Sequence, residues 1–126
     1  MFSQVAAVEA LTGSQDNVAA MVHEFDARRR RIVDGLNAID GIDCHLPRGA
    51  FYVFPDVSGT GLSGEEFADR LLYEAGVCVL AGTAFGEVGR DHVRISYANS
   101  QANIEQGLER MAAFASSLLA AASTPA

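Results

Sequence analysis

Arg94 is the residue whose surroundings most call for a chemical explanation. It sits in the run His92-Val93-Arg94-Ile95-Ser96-Tyr97, where Val93, Ile95 and Tyr97 alternate with His92, Arg94 and Ser96 as on the two faces of a strand. A guanidinium in a segment of this kind needs an anionic partner, because burying an unpaired charge is costly. Arginine's planar fork matches a carboxylate through two parallel hydrogen bonds, which a lysine ammonium does not reproduce. The residues alone leave two partners open: an internal Asp or Glu, or the carboxylate of a ligand.

Other chemistry-bearing groups read more plainly. Arg28 to Arg31 form the densest charge run. Successive helical residues point about 100° apart, so the four do not make one face. Glu24, Asp26 and Asp34 stand three or four positions from several of them and can pair with them, which predicts a solvated helix surface rather than a nucleic-acid patch. His23, His45 and His92 are scattered singly, and Cys44 and Cys78 follow no metal-ligand spacing, so no metal site is expected. Gly82-Thr83-Ala84-Phe85-Gly86 is a glycine loop that opens no helix, a poor phosphate cradle.

Composition narrows the chemistry further. The chain has 126 residues, 49% of them hydrophobic, which is one domain with material for a core and not a disordered or disulfide-dense chain. All 9 basic residues are arginines. The absence of lysine excludes a lysine nucleophile, a Schiff-base lysine and a P-loop lysine within these residues. Against 16 acidic residues the net charge is -7, which disfavours nonspecific nucleic-acid binding. No apolar run is long enough for a membrane span. With no secretory signal ahead of the two cysteines, a reduced, cytoplasmic setting is expected.

The elements that must position Arg94 follow from periodicity. Residues 2–11 read as a short alanine-rich helix broken by Gly13, after which Ser14 or Asp16 can cap a second helix. In that helix Val18, Met21, Val22, Phe25, Ile32, Val33, Leu36 and Ile39 form one apolar stripe to about Ala38. Ile42–Leu46 is strand-like, Pro47–Gly49 a turn, and Ala50–Pro55 reads as a strand buried on both faces. Ser63-Gly64-Glu65-Glu66 is a capping box, opening a helix with Phe67, Leu71, Leu72 and Ala75 inward and Gly76 as its stop. Val77–Leu80 is a short buried strand, Ala81–Gly89 a loop, and His92–Ala98 an alternating strand. Ser100 caps a last helix bearing Ile104, Leu108, Met111, Ala115 and Leu118, and Ser123–Ala126 should fray. The order predicts an α+β fold, a small, mostly antiparallel or mixed β-sheet packed against helices.

Three segments then show a family pattern. Pro47-Arg48-Gly49-Ala50-Phe51-Tyr52-Val53-Phe54-Pro55 resembles the P-x-G-A-F-Y-x-F strand of class I, fold-type-I aminotransferases, which depend on pyridoxal phosphate. Gly76-Val77-Cys78-Val79-Leu80-Ala81-Gly82-Thr83-Ala84-Phe85-Gly86 resembles that family's G-V-x-V-x-P-G-x-x-F-G, with Ala81 in place of the proline. His92-Val93-Arg94-Ile95-Ser96-Tyr97-Ala98 resembles its x-V-R-I-S-F-A strand, and the three stand in the family's order and spacing. The aspartate aminotransferase-like branch is the most similar.

The resemblance implies that residues 14–126 are the C-terminal small domain of such an enzyme and residues 1–13 a remnant helix of its large domain. It implies that Arg94 holds the substrate α-carboxylate, with Phe85 near the site. It implies a parent enzyme, a homodimer with pyridoxal phosphate, that moves an amino group between an amino acid, aspartate-like, and a 2-oxo acid. The cofactor lysine, the aspartate on its pyridine nitrogen and the phosphate-binding groups belong to the large domain. So no catalytic or cofactor-binding residue is assigned in this chain, no covalent cofactor is expected on it, and it should be inactive alone, with exposed interdomain surface prone to self-association. Two other readings stand beside this one: a free-standing module that senses small carboxylates through Arg94, and a protein-interaction domain.

Overall fold

The structure, a computed structural model, describes residues 1–122. In chain order these form helices α1 (Phe2–Thr12) and α2 (Asp16–Asn37), strand β1 (Tyr52–Val53), helix α3 (Gly64–Ala75), strands β2 (Leu80–Ala81) and β3 (Val93–Ser96), and helix α4 (Gln101–Ala122). The sheet is antiparallel, in the order β1-β3-β2. This is the α+β arrangement expected from the sequence. Ser123–Ala126, where fraying was expected, lie outside the described residues.

The helix boundaries have local causes. Ser63 accepts from the Glu66 amide while the Glu66 side chain accepts from the Ser63 amide, so the capping box starts α3 as its sequence predicts. Gly76 ends it at φ 66°, a left-handed conformation that favours glycine. Ser100 accepts from the Asn103 amide at 3.2 Å and opens α4. At the start of α2 the expectation fails in detail. Asp16 is already helical, Gln15 precedes it without a side-chain cap, and Ser14 accepts only from the Asp16 amide at 3.1 Å.

One continuous core joins α2, α3, α4 and one face of the sheet. Leu36, Phe67, Leu71, Val53, Val57, Val93 and Tyr97 are fully buried in it. Phe67 and Phe114 meet edge to face at 5.4 Å and join α3 to α4. The α2 stripe is fully buried in this core only at Ile32, Val33 and Leu36, with Phe25 partly buried against it. Val18, Met21 and Val22 are exposed, and no residue of α1 is buried.

Three strand expectations need correction. Ala50–Pro55 is not buried on both faces: Val53 and Pro55 are buried, but Phe54, on the opposite face, is 40% exposed because helices cover only one side of the sheet, and Phe51, on the Val53 side beside Phe25 of α2, is 42% exposed. Val77–Leu80 is not a buried strand: pairing begins only at Leu80, which is 47% exposed, and Val79 alone of the four is buried. Ile42–Leu46 contributes a single bridge, Asp43 to Asp56. Its backbone is instead clipped to the end of α2, where Asn37 accepts from the Cys44 amide at 2.7 Å and donates to the Cys44 carbonyl at 3.0 Å.

The same clip buries Cys44, and burial, with Asp43 beside it, pushes its thiol up to about 11. Cys78 is exposed. A thiol reagent should therefore modify Cys78 in the folded chain and Cys44 only on unfolding, as mass spectrometry of the labelled protein would show. In urea unfolding, Phe67→Ala should cost about 3–5 kcal/mol. Phe85→Ala, on the uncovered side, should cost about 1 kcal/mol or less.

Candidate functional site

The uncovered face of the sheet carries the site. The pairs Tyr52 with Ser96, Val53 with Ile95 and Asp56 with His92 share one register, which sets Phe54 opposite Arg94. Leu80 pairs with Arg94 from the other side. Cross-strand partners share a face, so Tyr52, Phe54, Asp56, Leu80, His92 and Arg94 stand together, away from the core.

Arg94 is half-buried, and its guanidinium lies over two rings, Tyr52 at 4.3 Å and Phe85 at 4.4 Å. Among the described residues no carboxylate pairs with it and no hydrogen bond involves its donors. The first of the two partners left open by the sequence, an internal Asp or Glu, is thus not the one the fold supplies. Each ring contact is worth about 0.5–2 kcal/mol and holds the guanidinium by its π-system. The N–H groups stay free to meet a planar anion.

Phe85 reaches Arg94 from a loop of two short turns, Gly82–Phe85 and Glu87–Gly89. The two turns close against each other so tightly that a Cβ on Gly82 would lie 2.2 Å from the Gly89 carbonyl oxygen. The Gly82 amide donates to the His92 carbonyl at 2.8 Å, tying the loop to β3. Ala81, which replaces the family's proline, has φ -58°, the angle a proline would impose. The backbone at Ala81 thus holds a proline-like angle without the ring.

Tyr52 is fixed from the other end of the strand. Its ring packs on Phe51 at 4.5 Å. The Tyr97 hydroxyl donates to the Ala50 carbonyl at 2.8 Å and holds the preceding turn. In that turn Ala50, not a glycine, takes the positive φ of 60°. Tyr52 and Phe54 are the site residues that sequence reasoning passed over. The signal was available, because two aromatics two positions apart in a strand share one face.

The remaining candidates fall into place. Arg28 pairs with Glu24 at 2.8 Å, Arg30 with Asp26 at 2.9 Å, and Arg29 with Asp26, while Arg31 reaches Glu105 on α4 at 3.1 Å. The run is a paired helix surface as expected, with Glu105 in place of Asp34. Hydrogen bonds from Arg29, then Arg30, hold the Asp26 carboxyl below its ordinary value, and Arg28 does the same for Glu24. His23 and His45 are exposed and apart from Arg94, whereas His92 shares its face. Asp56 is held below the usual carboxylate range by hydrogen bonds from the Ser58 hydroxyl and amide, with His92 a smaller contributor. Among the described residues no helix is long and apolar enough to cross a membrane.

Comparisons with known proteins bear on the family and the fold. A family model described as "Aminotransferase class I and II" matches residues 2–111. The aspartate aminotransferase of Pyrococcus horikoshii is 44% identical over 112 residues, which span 87% of this chain and 29% of that protein. The crystal structure of the aspartate aminotransferase from Rhizobium meliloti matches with a TM-score of 0.84 at 41% identity, over 90% of this chain and 30% of that one. The aromatic aminotransferase from Pyrococcus horikoshii matches with a TM-score of 0.85 at 39% identity, over 90% of this chain and 31% of that one. The chain thus spans less than a third of the length of these relatives. With a family match over nearly all its described residues and the fold of two solved aminotransferases, the chain belongs to the aminotransferase class I and II family.

Proposed function

We propose that this chain is the C-terminal small domain of an aminotransferase, residues 14–126, joined through residues 1–13 to the last helix of a large domain. Arg94 holds the α-carboxylate of an amino acid or 2-oxo acid, aspartate-like in kind, and Phe85 lines the same site. The observation that carries the reading is the Arg94 guanidinium resting on two rings with no anion among the described residues to satisfy it. A substrate carboxylate would complete it with charge-assisted, bidentate hydrogen bonds. Because the rings already orient the guanidinium, less ordering remains to be done when substrate arrives. Closure of this domain over the substrate would exclude water and strengthen that ion pair.

The family's cofactor, pyridoxal phosphate, supplies an electron sink at the substrate α-carbon. The residues present do not fit its covalent attachment, since the chain contains no lysine, and no step is derived through it. Cofactor binding belongs to the large domain and to the homodimer of the parent enzyme. The exposed apolar residues of α1, among them Phe2, Val5, Val8 and Leu11, support a surface made to be covered by that domain. The free thiols Cys44 and Cys78 support a reducing, cytoplasmic setting.

Replacing the matching segment of the Rhizobium meliloti enzyme with residues 14–122 tests the role of Arg94. The chimera should transaminate, and Arg94→Lys should lower its kcat/KM by about 100-fold or more, as loss of a bidentate desolvated partner requires. Unchanged kcat/KM in that variant would remove Arg94 from the site. Calorimetry on the lone chain should show no micromolar binding of aspartate, glutamate or 2-oxoglutarate. Such binding, lost in Arg94→Ala, would instead make the chain a carboxylate sensor. Sedimentation of the lone chain should show concentration-dependent self-association, and a monomer at all concentrations would count against an uncovered interdomain face.

A further inference from the structure

The rings that hold Arg94 are themselves held from one side. Phe85 is 52% exposed, between the two turns of its loop, and among the described residues it is not one of those packed against the core. Besides Arg94, the ring it meets is Phe54, edge to face at 6.1 Å and 84°. Phe54 in turn lies nearly parallel to the His92 imidazole, at 5.1 Å and 18°. The four groups form one file across the open face: His92, Phe54, Phe85, Arg94. Tyr52 closes it beyond Arg94.

Neither Phe54 nor His92 is placed there by the core. Phe54 is 40% exposed, on the face opposite buried Val53 and Pro55. The Nδ1 atom of His92 is buried without a hydrogen-bond partner. Leaving such an atom unpaired is costly. The imidazole thus meets Phe54 through its ring face, with no hydrogen bond at Nδ1 to set its orientation.

We propose that Phe54 and His92 are positioning residues for the substrate carboxylate, acting through Phe85 on Arg94. His92 backs Phe54, Phe54 stops Phe85 from swinging into solvent, and Phe85 keeps the Arg94 guanidinium in place beside Tyr52 with its N–H groups free for the carboxylate. This rests on the assignment of Arg94 as the carboxylate ligand, but the coupling along the file is a property of the chain itself. An immobilised side chain of this kind saves about 0.5–1.5 kcal/mol of ordering on binding, so loss of the file should raise KM and leave kcat nearly unchanged.

The first test uses the 126-residue chain. The Arg94 Nε–H resonance, shifted upfield by the rings it lies over, reports the stack by NMR. Phe54→Leu and His92→Ala should each lose a large part of that displacement, while Phe54→Tyr and His92→Phe, which keep a flat ring, should retain it. The Phe67 and Phe114 ring signals report that each variant is folded, and His92→Ala carries the test if Phe54→Leu does not fold. An unmoved Arg94 resonance in a folded Phe54→Leu or His92→Ala variant would overturn the proposal. The second test places the same variants in the chimera, where Phe54→Leu should raise KM for the amino acid by about 2- to 10-fold and Phe54→Tyr should restore it. A fall in kcat with KM unchanged would also overturn the proposal. Should Arg94→Lys leave the chimera untouched while the NMR coupling holds, the carboxylate assignment fails and the file stands.

Discussion

Val53, Pro55 and Val93 enter the core beneath α2, α3 and α4, while Tyr52, Phe54 and Arg94, one residue away on the same strands, emerge on the other side. That alternation is the constraint on which the molecule depends. A strand pair with period 2 cannot bury one set of side chains without presenting the other. Helices cover one face, so the second face is free for chemistry. Aromatic rings on that face would be a liability if they served only packing, since their burial is partial. They instead form walls around a cation.

The choice of arginine follows from the same geometry. A guanidinium can rest its π-face on Tyr52 and Phe85 and still offer N–H groups at its edge, whereas an ammonium has no flat face to rest. The usual alternative for a half-buried arginine is a protein carboxylate. Every other ion pair described here lies on or between helices or in the loop at Glu87 and Arg90. The loop that carries Phe85 is correspondingly tight: Gly82 and Gly89 touch backbone to backbone, which fixes where the ring can reach.

Much of this was legible in the residues. The capping box at Ser63 and the glycine stop at Gly76 are local chemistry, and they read correctly because nothing distant competes with them. The α4 stripe held for the same reason. The pairing of Arg28 to Arg31 was legible in kind, but Arg31 chose Glu105 across the helix interface, a contact that no local spacing reveals. The aromatic run at Phe51–Phe54 misled, since hydrophobic residues on both faces look the same whether the second face is covered by helices or reserved for a ligand. Arg94 was legible as a residue needing a partner. That its partners in the fold are two rings was not, because Phe85 comes from a loop whose path depends on glycine contacts at long range.

In the function proposed above, the Arg94 guanidinium, resting on its two rings, receives a carboxylate from outside the chain. A crystal structure of the Rhizobium meliloti chimera with the dicarboxylate maleate would test it most directly. One maleate carboxylate should lie within about 2.7–2.9 Å of two Arg94 nitrogens, with Tyr52 and Phe85 still against the guanidinium. Maleate bound elsewhere, with Arg94 swung onto an Asp or Glu of the protein, would contradict it.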